Sequence, residues 1–136
     1  MSTAISNLST LLSTMEPVLH EGVYVFASLK ECAGLALTDV VASIIEPEGL
    51  SVIVTEARAQ ELKLPVMFRA AWITLTVHSD LEAVGLTAAF ATALGDAGIS
   101  CNVVAGAYHD HIFVALDCAV EAMAALRELQ QRSLAR

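Results

Sequence analysis

Apolar residues recur along this chain in two rhythms, one suited to helices and one to strands. Ile5, Leu8, Leu11, Leu12 and Met15 keep helical spacing with Ser and Thr between them, and Pro17 stops that run. "GVYVFASL" (22–29) is rich in branched and aromatic residues and predicts a strand. "VVASIIEPEGLSVIVTEA" carries Pro47 and Gly49 between two apolar runs, which predicts a hairpin. "EARAQEL" (56–62) predicts a short helix, and "KLP" (63–65) a break.

The second half alternates more sharply. In "FRAAWITLTVH", Ile73, Leu75 and Val77 fall on one face and Trp72, Thr74 and Thr76 on the other. Leu86, Ala89, Phe90, Ala93, Leu94 and Ala97 then form a one-sided helical stripe that Gly98 ends. Ser79 and Glu82 have capping-box spacing for its start, while Gly85 argues for a start closer to itself. "ISCNVVAGAY" and "HIFVAL" predict two strands. Asp117 is the expected cap of a last helix whose inner stripe is Ala119, Ala122, Met123, Leu126 and Leu129.

Composition narrows what such a chain does. Apolar residues make up 56% of the 136 residues, enough for a well-filled core, yet the longest unbroken apolar run falls far short of the roughly 20 residues a membrane helix needs. With 15 acidic against 7 basic residues the net charge is −8, which repels nucleic acid and anionic membranes alike. No positive charge precedes Lys30, which argues against a leader peptide and for a cytoplasmic chain. Cys32, Cys101 and Cys118 lack paired spacing and are expected as reduced thiols; Cys118, in the first turn of a helix, is the one where a thiolate is favoured.

No nucleophile elbow, phosphate loop or catalytic triad spacing is present, so no enzymatic activity and no cofactor are expected. His109-Asp110-His111 reads as a polar hairpin tip, a tip that contacts a ligand or partner, or, with less support, a metal site. Neither an H-x-x-x-H pair nor a Cys pair backs the last reading. Glu46 and Glu48 flank Pro47 as solvated turn residues, and Trp72 is either a core residue or an interface anchor.

The order strand, helix, strand, strand, helix is five sixths of a ferredoxin-like βαββαβ unit. "WITLTVHSDLEAVGLTAAFATALGDAGISCNVVAGAYHDHIFVAL" resembles an ACT domain, the small-ligand-sensing module of amino-acid metabolism. A first strand, a loop ending in Gly85, a helix running into "AGIS", the strand of "CNVVAG" and the return as "HIFVAL" carry the likeness. The whole chain resembles small stand-alone prokaryotic proteins of two ACT-like halves, related to the regulatory ends of aspartate kinases and to the cytosolic arginine sensor.

That resemblance implies an α+β fold of two pseudo-symmetric ferredoxin-like halves packed together, a degenerate N-terminal half (1–65) and a C-terminal ACT domain (66–136). Since no strand follows the last helix, the first half is expected to lend one. The resemblance also implies a non-enzymatic regulatory protein, expected as a homodimer, with an amino acid or related metabolite at the seam between halves. Its site would comprise His78, Ser79, Leu81, Glu82, Val84, Gly85 and Leu86 of the loop, with Asn102, Val103 and Val104 as the wall. The helix entrance would offer N–H groups to a carboxylate and Glu82 a partner for an amino group. Read from the residues alone, Ser79 and Glu82 equally cap the helix and Gly85 equally serves packing. The competing class is an adaptor that self-associates without ligand.

Overall fold

The computed structural model describes residues 7–31, 34–77 and 80–134. In chain order the elements are α1 (Leu8–Thr14), β1 (Pro17–Leu19), β2 (Tyr24–Leu29), β3 (Val40–Glu46), β4 (Gly49–Thr55), α2 (Glu56–Glu61), β5 (Val66–Leu75), α3 (Leu86–Asp96), β6 (Asn102–Ala105), β7 (Asp110–Ala115) and α4 (Ala119–Leu134). They form two compact units. One is residues 21–71; the other joins the chain start, up to His20, to residues from Trp72 onward.

In the 21–71 unit the strands lie in the order β3-β4-β2-β5. Strict alternation in β2 buries Val25, Ala27 and Leu29, which pack with Val52 and Val54 of β4, Ala59 of α2 and Leu64. The β3–β4 hairpin turns over Pro47 and Glu48, and Glu46 pairs with Gly49. Gly49 is required there: its φ is +149°, and a side chain would stand 2.6 Å from the Leu29 carbonyl oxygen. Between β2 and β3 the described residues hold only a turn of 3-10 helix, Leu37–Asp39. This is the ferredoxin strand order with its first helix reduced to a turn.

Arg58 binds Asp39 and Glu61, and Arg69 binds Glu56. These pairs hold Asp39 and Glu56 below their ordinary pKa, with the Ala36 N–H the first cause at Asp39 and the Arg69 hydrogen bond at Glu56.

In the other unit, β1 and β7 flank the end of β5, and β6 lies beyond β7. β1 pairs antiparallel with β5, placing Pro17 opposite Leu75 and Leu19 opposite Ile73. The chain start thus supplies the missing last strand of the βαββαβ unit, and this is why it belongs with the far end of the sequence. Leu86, Phe90 and Leu94 of α3 are buried at helical spacing, with Ala122, Met123 and Leu126 of α4 and Leu11 of α1. Asn7 caps α1 by accepting from the Thr10 N–H at 3.0 Å. Asp117, the expected cap of α4, instead sits inside a 3-10 turn, Leu116–Cys118, that runs straight into the helix.

β5 serves twice. Its first six residues belong to the 21–71 unit and its last four to the other. Among the described residues no helix is long and apolar enough to cross a membrane.

Candidate functional site

Asp80 organises the approach to α3. Its Oδ1 accepts from the Glu82 N–H and its carbonyl from the Ala83 N–H, both at 2.9 Å. The chain turns at Gly85 (φ +101°), which is the N-cap, so the helix starts at the glycine and not at a capping box of Ser79 and Glu82. The space where a Gly85 side chain would stand is taken by Leu8, 3.0 Å away, so this glycine is packed against α1. The amides of Leu86, Thr87 and Ala88 have no partner within the helix and carry the positive end of its dipole.

Beside this entrance lies a pocket of about 90 Å³. Asp80, Leu81 and Ala83 of the loop, Leu86 and Thr87 of α3, and Ala105 and Asp110 of the β6–β7 hairpin bound it. At ~30 Å³ per water it has room for about three waters, or for a molecule of a few heavy atoms. All its walls belong to one unit.

Leu81 and Leu86 of the expected site line this pocket. Glu82 and Val84 are exposed and stand outside its lining. Val103 and Val104 are half-buried within β6, and Asn102 donates from Nδ2 to the Phe113 carbonyl at 3.2 Å. His78 and Ser79 lie outside the described residues. Asp80 lies in the loop before Gly85, but Ala105 and Asp110 become neighbours only through the hairpin register, in which they are partners.

The second polar constellation centres on Trp72, and His111 belongs to it. His20 stacks on the indole with ring centres 3.6 Å apart and planes 9° from parallel. Its Nε2 meets Thr74 Oγ1 at 2.7 Å, and Thr74 Oγ1 meets His111 Nδ1 at 3.0 Å. Trp72 donates its indole N–H to the same Nδ1 at 3.1 Å. Burial lowers the pKa of both histidines, and the neighbouring His109 and His20 lower that of His111 further, against a smaller opposing effect of Asp110. His109 Nδ1 reaches the Val77 carbonyl at 3.1 Å, and the Gly106 N–H donates to the His109 carbonyl, closing the hairpin. The His-Asp-His stretch thus lies at the hairpin end, and each of its two imidazoles makes a contact within this unit through Nδ1.

Among the described residues no group of three or more His, Cys, Asp or Glu is placed to hold a metal ion. Cys118 corrects the expectation of a favoured thiolate: burial and the carboxylates of Asp117 and Glu121 raise its pKa. Burial raises that of Cys101 as well. Cys32 lies outside the described residues.

Residues 3–71 and residues 68–128 each match a family model described as an ACT domain. No curated protein matches the chain. A solved protein of unknown function from Vibrio cholerae, described as a possible transport protein, is 46% identical, covering 90% of this chain and 95% of its own, with TM-score 0.78. A protein from Agrobacterium tumefaciens matches at 17% identity over 85% of this chain and 89% of its own, TM-score 0.69. The ligand-free regulatory subunit of aspartate kinase from Thermus thermophilus matches at 11% identity over 87% and 98%, TM-score 0.60. These last two likenesses are of fold.

Proposed function

The chain belongs to the ACT family, and from that premise we propose that it is a non-enzymatic regulatory protein that binds a small ligand at the entrance of α3. The ligand is an amino acid or a related metabolite. The observation that carries this reading is the pocket itself, where Leu86 and Thr87 of the first turn of α3 and the residues Asp80 and Asp110 border one small space; first-turn amides have no partner within their helix. Amides at a positive helix end favour a carboxylate, and a flanking Asp carboxylate favours an ammonium group. A free amino acid carries both charges on adjacent carbons. Asp80 and Asp110 take the place that the sequence alone gives to Glu82.

Thermal unfolding of the full chain, screened against the twenty amino acids and common nucleotides, tests this reading. A ligand at 100 times its Kd adds about 2.7 kcal/mol of stability, which raises the melting temperature by several degrees. Ala105→Leu, which fills the pocket from β6, abolishes the rise. A screen in which no compound moves the melting temperature overturns the proposal. We place the protein in the cytoplasm, a reading supported by the unpaired thiols of Cys101 and Cys118.

A specific observation favours self-association as a second reading. β3 pairs with β4 alone among the described strands and exposes Ile44 (60%) and Ile45 (89%) on successive positions, hence on both faces. An apolar sheet edge of this kind suits a homodimer, and sedimentation of Ile45→Lys against the parent chain reads it directly.

A further inference from the structure

The contacts of His111 make sense for only one of its charge states. An indole N–H can donate and never accept, so the nitrogen that Trp72 meets at 3.1 Å must be bare. His111 is therefore neutral, with its proton on Nε2. Thr74, only 6% exposed, completes the chain by donating to the same Nδ1 while accepting from His20 Nε2. His20 donates equally well whether neutral or charged. Protonation of His20 leaves these hydrogen bonds standing; protonation of His111 does not. A proton on Nδ1 would face the indole N–H donor to donor. Thr74 can rotate its hydroxyl to accept, but Trp72 has no such option.

The other side of the ring is also occupied. His111 Nε2 lies 3.2 Å from where a side chain on Gly106 would begin, so the imidazole abuts the backbone of the hairpin end. A ring pushed off Trp72 must move against Gly106, between Ala105 and the turn.

We propose that His111 is a proton-operated latch: neutral, it holds the end of the β6–β7 hairpin to β5 through Trp72, and protonated, it lets go. Around it stand His20 from the segment after β1, and His109 and Asp110 from the hairpin. β5 contributes Trp72 and Thr74, and β6 contributes Val104 opposite His111. Asp110 favours the charged ring, the two histidines and burial the neutral one. The latch does not depend on the nearby pocket holding a ligand.

Trp72 is the sole tryptophan, so its indole N–H gives one resolved NMR signal. The full chain, without added ligand, is titrated from about pH 7.5 to 5 while the indole N–H, the Gly106 amide and the histidine rings are followed. The latch requires the indole and Gly106 signals to shift together, on the His111 titration curve, with a midpoint below the ordinary histidine value of 6.5. His111→Asn keeps an acceptor without a titrating proton and removes the joint shift. His20→Phe keeps a stacked ring and preserves the shift. An indole signal that stays still across the range overturns the latch, as does one that titrates unchanged in His111→Asn. If His111→Asn does not fold, the parent chain decides: coincident midpoints for the His111 ring and the indole support the latch, and separate midpoints overturn it.

Discussion

Trp72 and His111 are joined by a hydrogen bond in which the indole N–H meets Nδ1 at 3.1 Å, while His20 lies flat on the indole face. One side chain of β5 thereby ties together the hairpin end and the segment that follows β1. Trp72→Phe keeps an aromatic ring for His20 but deletes the donor. The expected cost is about 1 kcal/mol for the hydrogen bond, with some added loss from the smaller ring. Urea denaturation measures it. The His111 ring should also titrate higher than in the parent chain, because a proton on Nδ1 no longer faces the indole N–H.

The same network sets a pH dependence of stability. His20 and His111 both have folded-state pKa values below 6.5, so over the interval beneath that value the unfolded chain binds more protons than the folded one. Stability then rises with pH across that interval. It is full above about pH 6.5 and falls as pH drops through the folded-state values. Asp39 and Glu56 act at lower pH, since their depressed values make their contribution disappear only as pH falls through the carboxylate range. Urea midpoints between pH 8 and 4 should decline in two stages. A midpoint constant down to the carboxylate range would contradict the histidine stage.

Gly49 is predicted to be the least replaceable residue of the first hairpin. In Gly49→Ala the new methyl meets the Leu29 carbonyl oxygen, a backbone atom, at a φ that side chains rarely adopt. A loss of about 1–3 kcal/mol is expected. Glu48→Ala, one residue earlier and exposed, should fall within about 0.5 kcal/mol of the parent. Equal midpoints for the two variants would contradict the placement of the turn.

Cys118 should alkylate slowly. Burial and the adjacent Asp117 and Glu121 carboxylates keep its thiol protonated at neutral pH. Iodoacetamide labelling followed by peptide mapping should show Cys118 lagging behind a free cysteine, and gaining rate only as pH rises beyond the ordinary thiol range.

The sequence made the second half legible because its signals are local. Alternation in "WITLTV" placed Ile73 and Leu75 inside, and the stripe through Leu86, Phe90 and Leu94 marked the buried face of α3. The reduced first half could also be read, since no helical stripe separates "GVYVFASL" from the hairpin. β1 was beyond reach as an element. Three residues after a proline carry no period, and their partner, Ile73 to Leu75, lies far along the chain. The need for a lent strand was foreseeable; its address was not.

The candidate sites divide in the same way. Trp72 and Thr74 share a face by simple alternation, but His20 joins them only through the β1–β5 register, and its stacking has no local signature. Glu82 is exposed and outside the lining of the pocket, whereas Asp80 borders it and accepts the Glu82 N–H at its own side chain. From the sequence, Asp110 reads as the middle of the His-Asp-His hairpin tip. Its place at the pocket follows from pairing with Ala105.

The central claim is that a small ligand sits at the mouth of α3, and amide-resolved NMR tests it most directly. An amino acid found in the thermal screen is titrated into the 15N-labelled chain. The account predicts that the amides of Leu86, Thr87 and Ala88 shift first and furthest, together with those of Asp80 and Asp110, and that Ala105→Leu removes the response. Saturable shifts confined to another surface, with these five amides unmoved, would contradict it.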